Sequence, residues 1–312
     1  MLHSVKTDIN STMMQASDRQ TNFFIKIVST TLIVFGVISA IVQVVKFFLE
    51  PESLPTTFLA LVFSLLLIYL GTKKVLSKLI YLALTHRTAS KLIIFFLPIV
   101  LTILLIVLRI SIGLDAWKKT NTEGGFIEYG TSLAFLLTAI FAFPIGKFFL
   151  TNKDKFLGYL YYFLSFSFFL VGMEEISWGQ KLIGFESSEF FQNYNSQEEI
   201  TLHNLIWINE FLDKGLMFVA LIAGISCLVY KLISQAKNNY RTKFIIPRWF
   251  LASFFLIVFL FFYLVEYIEF WNDTIGNFQE SMELIFSLGC LSFIVTNFFA
   301  IGELSSKSSA AS

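Results

Sequence analysis

Charge is scarce in this 312-residue chain. Asp, Glu, Lys and Arg make up 14% of it, whereas 56% of the residues are hydrophobic and 17% are aromatic. Soluble domains contain about 25% charged residues. The net charge of +1 provides no strong basic field, so we expect no nucleic-acid partner. This composition predicts a polytopic membrane protein.

Cysteine and histidine are also rare. Cys227 and Cys290 both lie inside apolar runs, so we expect small core residues and no disulfide framework. Of the three histidines, His3 and His86 lie in a polar tail and a basic connection, which leaves His203. A zinc site built from several imidazoles is therefore excluded. One histidine with several carboxylates would instead suit a hard or borderline cation.

Long apolar runs dominate the remainder of the chain. A membrane-spanning helix needs about 20 apolar residues, and no run shows the alternation of a β-strand. We predict an all-α integral membrane protein with about eight transmembrane helices and short amphipathic helices in an extracytoplasmic loop, 174–214. The eight runs are 23–49, 54–70, 92–113, 126–150, 156–173, 215–233, 249–270 and 282–301.

The membrane domain is expected to span residues 23–304. Residues 1–22 are polar and mixed in charge, unlike a cleavable signal peptide, so they are predicted to form a tail before a retained first helix. Residues 305–312 are predicted to form a short disordered tail. Residues 73–91 are basic and are predicted to form a helix at the cytoplasmic membrane surface, facing either solvent or anionic headgroups.

Lysine and arginine indicate the orientation. The connection 73–91 contains five basic residues and no acid, and the connections after the fourth and sixth runs are also basic. Loop 174–214 instead contains eight acids and two lysines. By the positive-inside rule, the basic connections and both termini are cytoplasmic. We predict a location in the bacterial inner (plasma) membrane, with the lipid bilayer as the surrounding partner.

Acidic side chains gather at the predicted outer ends of the helices. Glu266 and Glu269 have i, i+3 spacing, which places them on one helix face. Glu280 and Glu283 repeat this spacing, although Asp273 and Glu280 also fit a helix end that lies in water. The outer-end ionisable residues are Glu128, Glu174, Glu175, Glu266, Glu269, Glu283 and one base, Arg109.

Loop 174–214 contains helix signals. Ser187 or Ser188 can cap a short helix over Glu189–Tyr194. The capping-box pattern Ser-Gln-Glu-Glu at 196–199 predicts a second helix, which gives Glu199 a structural interpretation as a cap. That helix would also place Glu199 and His203 one turn apart, where they can share a metal ion or a proton.

Two blocks in this loop resemble an uncharacterised family of bacterial multi-pass membrane proteins. The family pattern has an EExSWGQ block followed by an NxQxExxLHN block, and the likeness covers about 35 residues. Lys181 stands where the family usually has Arg. The resemblance supports a site in this loop and implies no reaction. The matching residues are Glu174, Glu175, Ser177, Trp178, Gly179, Gln180, Gln197, Glu199, Leu202, His203 and Asn204.

We predict an acidic, His-containing pocket at the outer leaflet. It suits a metal-dependent or acid–base enzyme acting on a lipid or lipid-linked substrate, with a divalent metal ion as the candidate cofactor. The predicted catalytic residues are Glu174, Glu175, His203, Glu266 and Glu269. The predicted substrate-binding residues are Glu128, Trp178, Gln180 and Asn204, and the predicted metal ligands are Glu174, Glu199, His203 and Glu266.

Two other functions fit the same sequence. An ion-coupled transporter would use intramembrane acids, although these acids lie at one end of the helices and no inverted repeat is visible. A membrane assembly or interaction subunit would use the acids as scaffolding, with Arg109 and Lys181 as counter-ions.

Overall fold

The computed structural model describes residues 22–34, 88–113, 117, 126–180, 184, 186–195, 199–202, 205–236, 240–267 and 278–309, with scattered positions between 36 and 74. No strand occurs among these residues, only one isolated bridge. The helices are α1 (Asn22–Val34), α2 (Thr88–Ile112), α3 (Phe126–Thr151), α4 (Lys155–Glu175), α5 (Glu189–Tyr194), α6 (Ile206–Ala236), α7 (Tyr240–Ile245), α8 (Ala252–Tyr267) and α9 (Gln279–Ser309).

The predicted all-α class is confirmed for the described residues. In the described part of the chain, six helical segments are long and apolar enough to cross a membrane, and they correspond to the last six predicted runs. The first two runs are described only in part, so the predicted total of eight is not established. Backbone contacts divide the chain into a smaller unit, residues 1–86 with 298–312, and a larger unit, residues 87–297.

The smaller unit brings its first two apolar runs into close contact through glycine. A Cβ added at Gly36 would lie 2.8 Å from the carbonyl oxygen of Ser64, and one at Gly71 would lie 2.8 Å from that of Ser29. Small residues allow such close backbone approach between membrane helices. Within the same unit, Phe23 and Phe24 of α1 contact Phe298 and Phe299.

The larger unit is built around the antiparallel pair α3 and α4. Hydroxyl groups join the two backbones: Ser132 Oγ donates to the Gly172 carbonyl at 2.6 Å, and Ser165 Oγ donates to the Ala139 carbonyl at 2.8 Å. Side chain to backbone bonds of this kind contribute stability where lipid offers no partner. They fix α4 so that its last residues lie beside the first turns of α3.

Polar bonds at the opposite end attach α7 to the same pair. Asp154 caps α4 by accepting from Leu157 N–H at 3.3 Å, and it also accepts from Tyr240 Oη and from Arg241 Nε. Deeper in this end, Tyr161 Oη donates to the Phe244 carbonyl at 2.6 Å. Asn297 Nδ2 donates to Tyr161 Oη at 2.7 Å.

Candidate functional site

Three carboxylates meet where α4 ends and α9 begins. Glu175 is the last residue of α4, and Glu280 and Glu283 lie in the first two turns of α9. One oxygen of each lies within 4.8 Å of an oxygen of each of the others. We name Glu175, Glu280 and Glu283 the carboxylate triad. Among the described residues it is the one group of three or more acidic, histidine or cysteine side chains close enough to hold a metal ion.

The geometry of the triad follows from helix periodicity and antiparallel packing. Residues three apart share a helix face, so Glu280 and Glu283 point in a common direction. Glu280 also lies in the first turn of α9, where the helix dipole favours negative charge. Glu175 was predicted as a site residue, but its two partners were not. The i, i+3 spacing of Glu280 and Glu283 was the available signal.

Two more helices bring polar groups to the triad. Gln279 Nε2 contacts Asp213 Oδ1 of α6 at 3.2 Å and Glu283 Oε1 at 3.4 Å, so one amide bridges two acids. Glu128, in the first turn of α3, is buried and is close enough to Glu175 to interact with it electrostatically. Sequence reasoning placed Glu128 at this level but did not single out Gln279 or Asp213.

Glu174 has a different environment from its neighbour Glu175. Successive helical residues point about 100° apart, so the two carboxylates diverge. Glu174 Oε1 accepts from Trp178 Nε1 at 2.7 Å, and Glu174 Oε2 accepts from Leu202 N–H at 2.6 Å. Both oxygens of Glu174 therefore connect the end of α4 to the following loop, as does the predicted substrate-binding residue Trp178.

Hydrogen bonds of Gln180 and Glu199 also join separate parts of the loop 174–214. Gln180 Oε1 accepts from Ile200 N–H at 2.7 Å. Glu199 is buried, and its carboxylate accepts from Ser177 Oγ. Ser177 and Trp178 have φ values of 49° and 53°, a region that residues with side chains rarely occupy and that needs support from surrounding contacts. These bonds supply that support.

The predicted helix α5 is confirmed with the bounds Glu189–Tyr194. The predicted helix from Gln197 is wrong where the structure describes it, because residues 199–202 are not helical, and the next helix begins at Ile206. Asn195 Nδ2 donates to the carbonyl of Thr201 at 2.8 Å and to its Oγ1 at 3.0 Å. Side chain to backbone bonds of this kind compete with helix formation.

Glu266 lies at the edge of this polar region and forms an ion pair. Its Oε1 is 3.2 Å from Lys214 Nζ, and both side chains are partly exposed, so the pair contributes little to stability.

Three predicted site residues, His203, Asn204 and Glu269, lie outside the described residues. The predicted metal set of Glu174, Glu199, His203 and Glu266 stays a prediction, and its three described members contact separate partners.

Comparison with protein-family models, with curated proteins and with solved structures found no match. The family resemblance based on the two loop blocks therefore stays a prediction. Any proposal about function depends on the site itself.

Proposed function

We propose that this chain is a multi-pass protein of the bacterial plasma membrane whose carboxylate triad binds a divalent cation at the outer face. The bound cation would support chemistry on a lipid or lipid-linked substrate. The observation that carries the proposal is the mutual approach of the Glu175, Glu280 and Glu283 oxygens to within 4.8 Å.

Electrostatics supports a cation at this position. Three carboxylates at such distances disfavour one another unless they share a proton or surround a positive charge. Asp213 interacts electrostatically with Glu283, and Glu128 with Glu175, so the surroundings add negative potential. No described ion pair involves Glu175 or Glu283. Oxygen ligands of this type suit Ca²⁺, Mg²⁺ or Mn²⁺.

The position of the triad supports the substrate class. Glu175 ends the apolar span Lys155–Glu175, and Glu280 and Glu283 lie at the start of the span Gln279–Gly302. Glu128 lies at the start of a third span, Ile127–Thr151. A group that reacts at the ends of these spans is most simply delivered by a molecule with its apolar part in the bilayer. The basic connections 73–91 and 236–248 support an outward-facing triad and cytoplasmic termini.

Calcium, magnesium and manganese binding to purified protein tests the proposal. We expect one tightly bound ion per chain by elemental analysis and calorimetry, and a loss of at least ten-fold in affinity in Glu175→Gln and in Glu283→Gln. Glu189→Gln, which removes an exposed acid from α5, is the matched control and should bind as the unsubstituted protein does.

Two outcomes would contradict the proposal. Absence of binding for all three ions would indicate that the triad shares protons instead. Binding that survives both triad substitutions but is lost in His203→Ala or Glu174→Gln would move the ion to the site predicted from the sequence.

A docking function has its own supporting observation. Helix α5 exposes Phe190 and Tyr194, which are 49% and 48% exposed, and Trp178 is 39% exposed on the same loop. The loop is held by the contacts of Glu174, Gln180 and Glu199, which fits a rigid binding surface for a partner. Photo-crosslinking from position 190 in the native membrane tests this function, and crosslinks to lipid alone would count against it.

A further inference from the structure

Arg109 lies in the last turn of α2, an apolar helix whose residues are mostly exposed or half-buried. The span Lys91–Ile112 has mean hydropathy 3.0, and Ile106, Val107, Leu108 and Ile110 around Arg109 are all exposed. Eighteen residues of helix separate Lys91 from Arg109, which is about 27 Å. The hydrocarbon core of a bilayer is about 30 Å thick, so these two cations lie near its two boundaries.

The guanidinium of Arg109 is held against aromatic rings. Its Cζ lies 5.5 Å from the centroid of the Phe278 ring, and Phe278 in turn contacts Trp117 at 4.9 Å between centroids. Both aromatic side chains are buried. A cation over a ring face is attracted by the ring quadrupole, so the head group is fixed in position.

This contact leaves a hydrogen-bond donor unsatisfied. Arg109 Nε is buried and has no acceptor in the part of the chain that the structure describes. An aromatic face attracts the charge but accepts no N–H in the guanidinium plane. A buried donor without a partner is costly, and a charged one more so, which points to an acceptor beyond the described residues.

We propose that Arg109, held on Phe278, binds the phosphate group of an anionic phospholipid. The guanidinium fork matches phosphate oxygens and can make two parallel bonds to them. Lipid is the source because the neighbouring residues of α2 are exposed apolar side chains of a candidate membrane span, and the length of that span brings Arg109 near the depth of the phosphate groups. This site does not depend on the carboxylate triad, and it would stand even if the triad bound no cation.

Native mass spectrometry of the detergent-purified full chain tests the proposal. The probe is dioleoyl phosphatidylglycerol, and the control ligand is dioleoylglycerol, which has the same chains without the phosphate. We expect one saturable site for the phospholipid and none for the control. Arg109→Gln should lower the affinity about ten-fold, and Lys91→Gln, which removes the cation at the other end of α2, should leave it unchanged.

Two further variants separate the guanidinium fork from its charge. Arg109→Lys keeps the charge but loses the fork, so we expect an affinity loss of several-fold; this variant carries the test if Arg109→Gln does not fold. Phe278→Leu removes the ring and should weaken binding about three-fold. Equal binding by the original chain and both Arg109 variants would overturn the proposal. Competition by millimolar inorganic phosphate would overturn the assignment to lipid.

Discussion

The carboxylates at the two ends of α4 have opposite environments. Asp154, just before the helix, is buried and bonded to three donors, among them Arg241 Nε at 2.9 Å. Glu175, at the other end about 31 Å away, lies beside two further carboxylates and has no described ion pair. A buried acid that pairs with a cation of the same chain stabilises the fold. Three carboxylates this close to one another require a cation or a shared proton, and so indicate a site.

The pKa of Asp154 is consistent with its structural function. Burial acts to raise the pKa of this carboxyl, but the hydrogen bonds from Tyr240, Arg241 and Leu157 N–H together outweigh burial. The pKa of Asp154 therefore lies below its ordinary value. The charged form is the one that the fold stabilises, and it joins α4 to α7.

The largest effect is expected when the contacts of Asp154 are removed. Asp154→Ala removes the cap of α4 and the acceptor for Tyr240 and Arg241, and should lower the free energy of unfolding by about 2 kcal/mol. Thermal unfolding in detergent measures it, with Glu186→Ala, an exposed loop acid, as the matched control. An unfolding temperature equal to that of the unsubstituted protein would show that these bonds contribute nothing.

Helix periodicity and residue type predicted much of this architecture. Apolar runs marked the six described spans, and Ser187 or Ser188 before Glu189 marked the beginning of α5, although the Ser188 side chain makes no capping hydrogen bond. Such signals are local, because each depends on neighbours within one or two turns. The same local spacing placed Glu280 beside Glu283, and the end of an apolar run placed Glu175 at the end of α4.

Contacts between distant residues were not predictable in the same way. Glu175 and Glu280 are far apart in the chain, and only helix packing decides that they meet while Glu174 binds Trp178 and Leu202. The wrong prediction of a helix at 199–202 has the same cause, since the N–H groups of Ile200 and Leu202 bond to Gln180 and Glu174 instead. Asp154 has no distinguishing local signal in its basic connection, although its hydrogen bonds join α4 to α7.

Substitution in the carboxylate triad is expected to change the free energy of unfolding in the opposite direction. Without a bound cation, Glu175→Gln relieves the repulsion within the carboxylate triad, so at pH 8 with a chelator it should raise the free energy of unfolding by about 1 kcal/mol. With saturating divalent cation the order should reverse, because the unsubstituted protein gains binding energy that the variant loses. Chemical unfolding with and without chelator measures both. Destabilisation under both conditions would make Glu175 a structural acid like Asp154.

The smallest effect concerns how Asp154 responds to acid. Because its folded-state pKa is lowered, its contribution to stability is present above the unfolded-state value of about 3.9 and is lost as the pH falls through the lower folded-state value. The stability difference between the unsubstituted protein and Asp154→Ala should therefore be constant from pH 7 to about pH 5 and should shrink below about pH 4. The change is smaller than the full substitution effect, since a protonated carboxyl still accepts hydrogen bonds.

Unfolding curves of both proteins at pH 7, 4 and 2.5 measure this change in the stability difference. A difference that stays constant down to pH 2.5 would mean that hydrogen bonding by Asp154, and not its charge, holds α7 to α4.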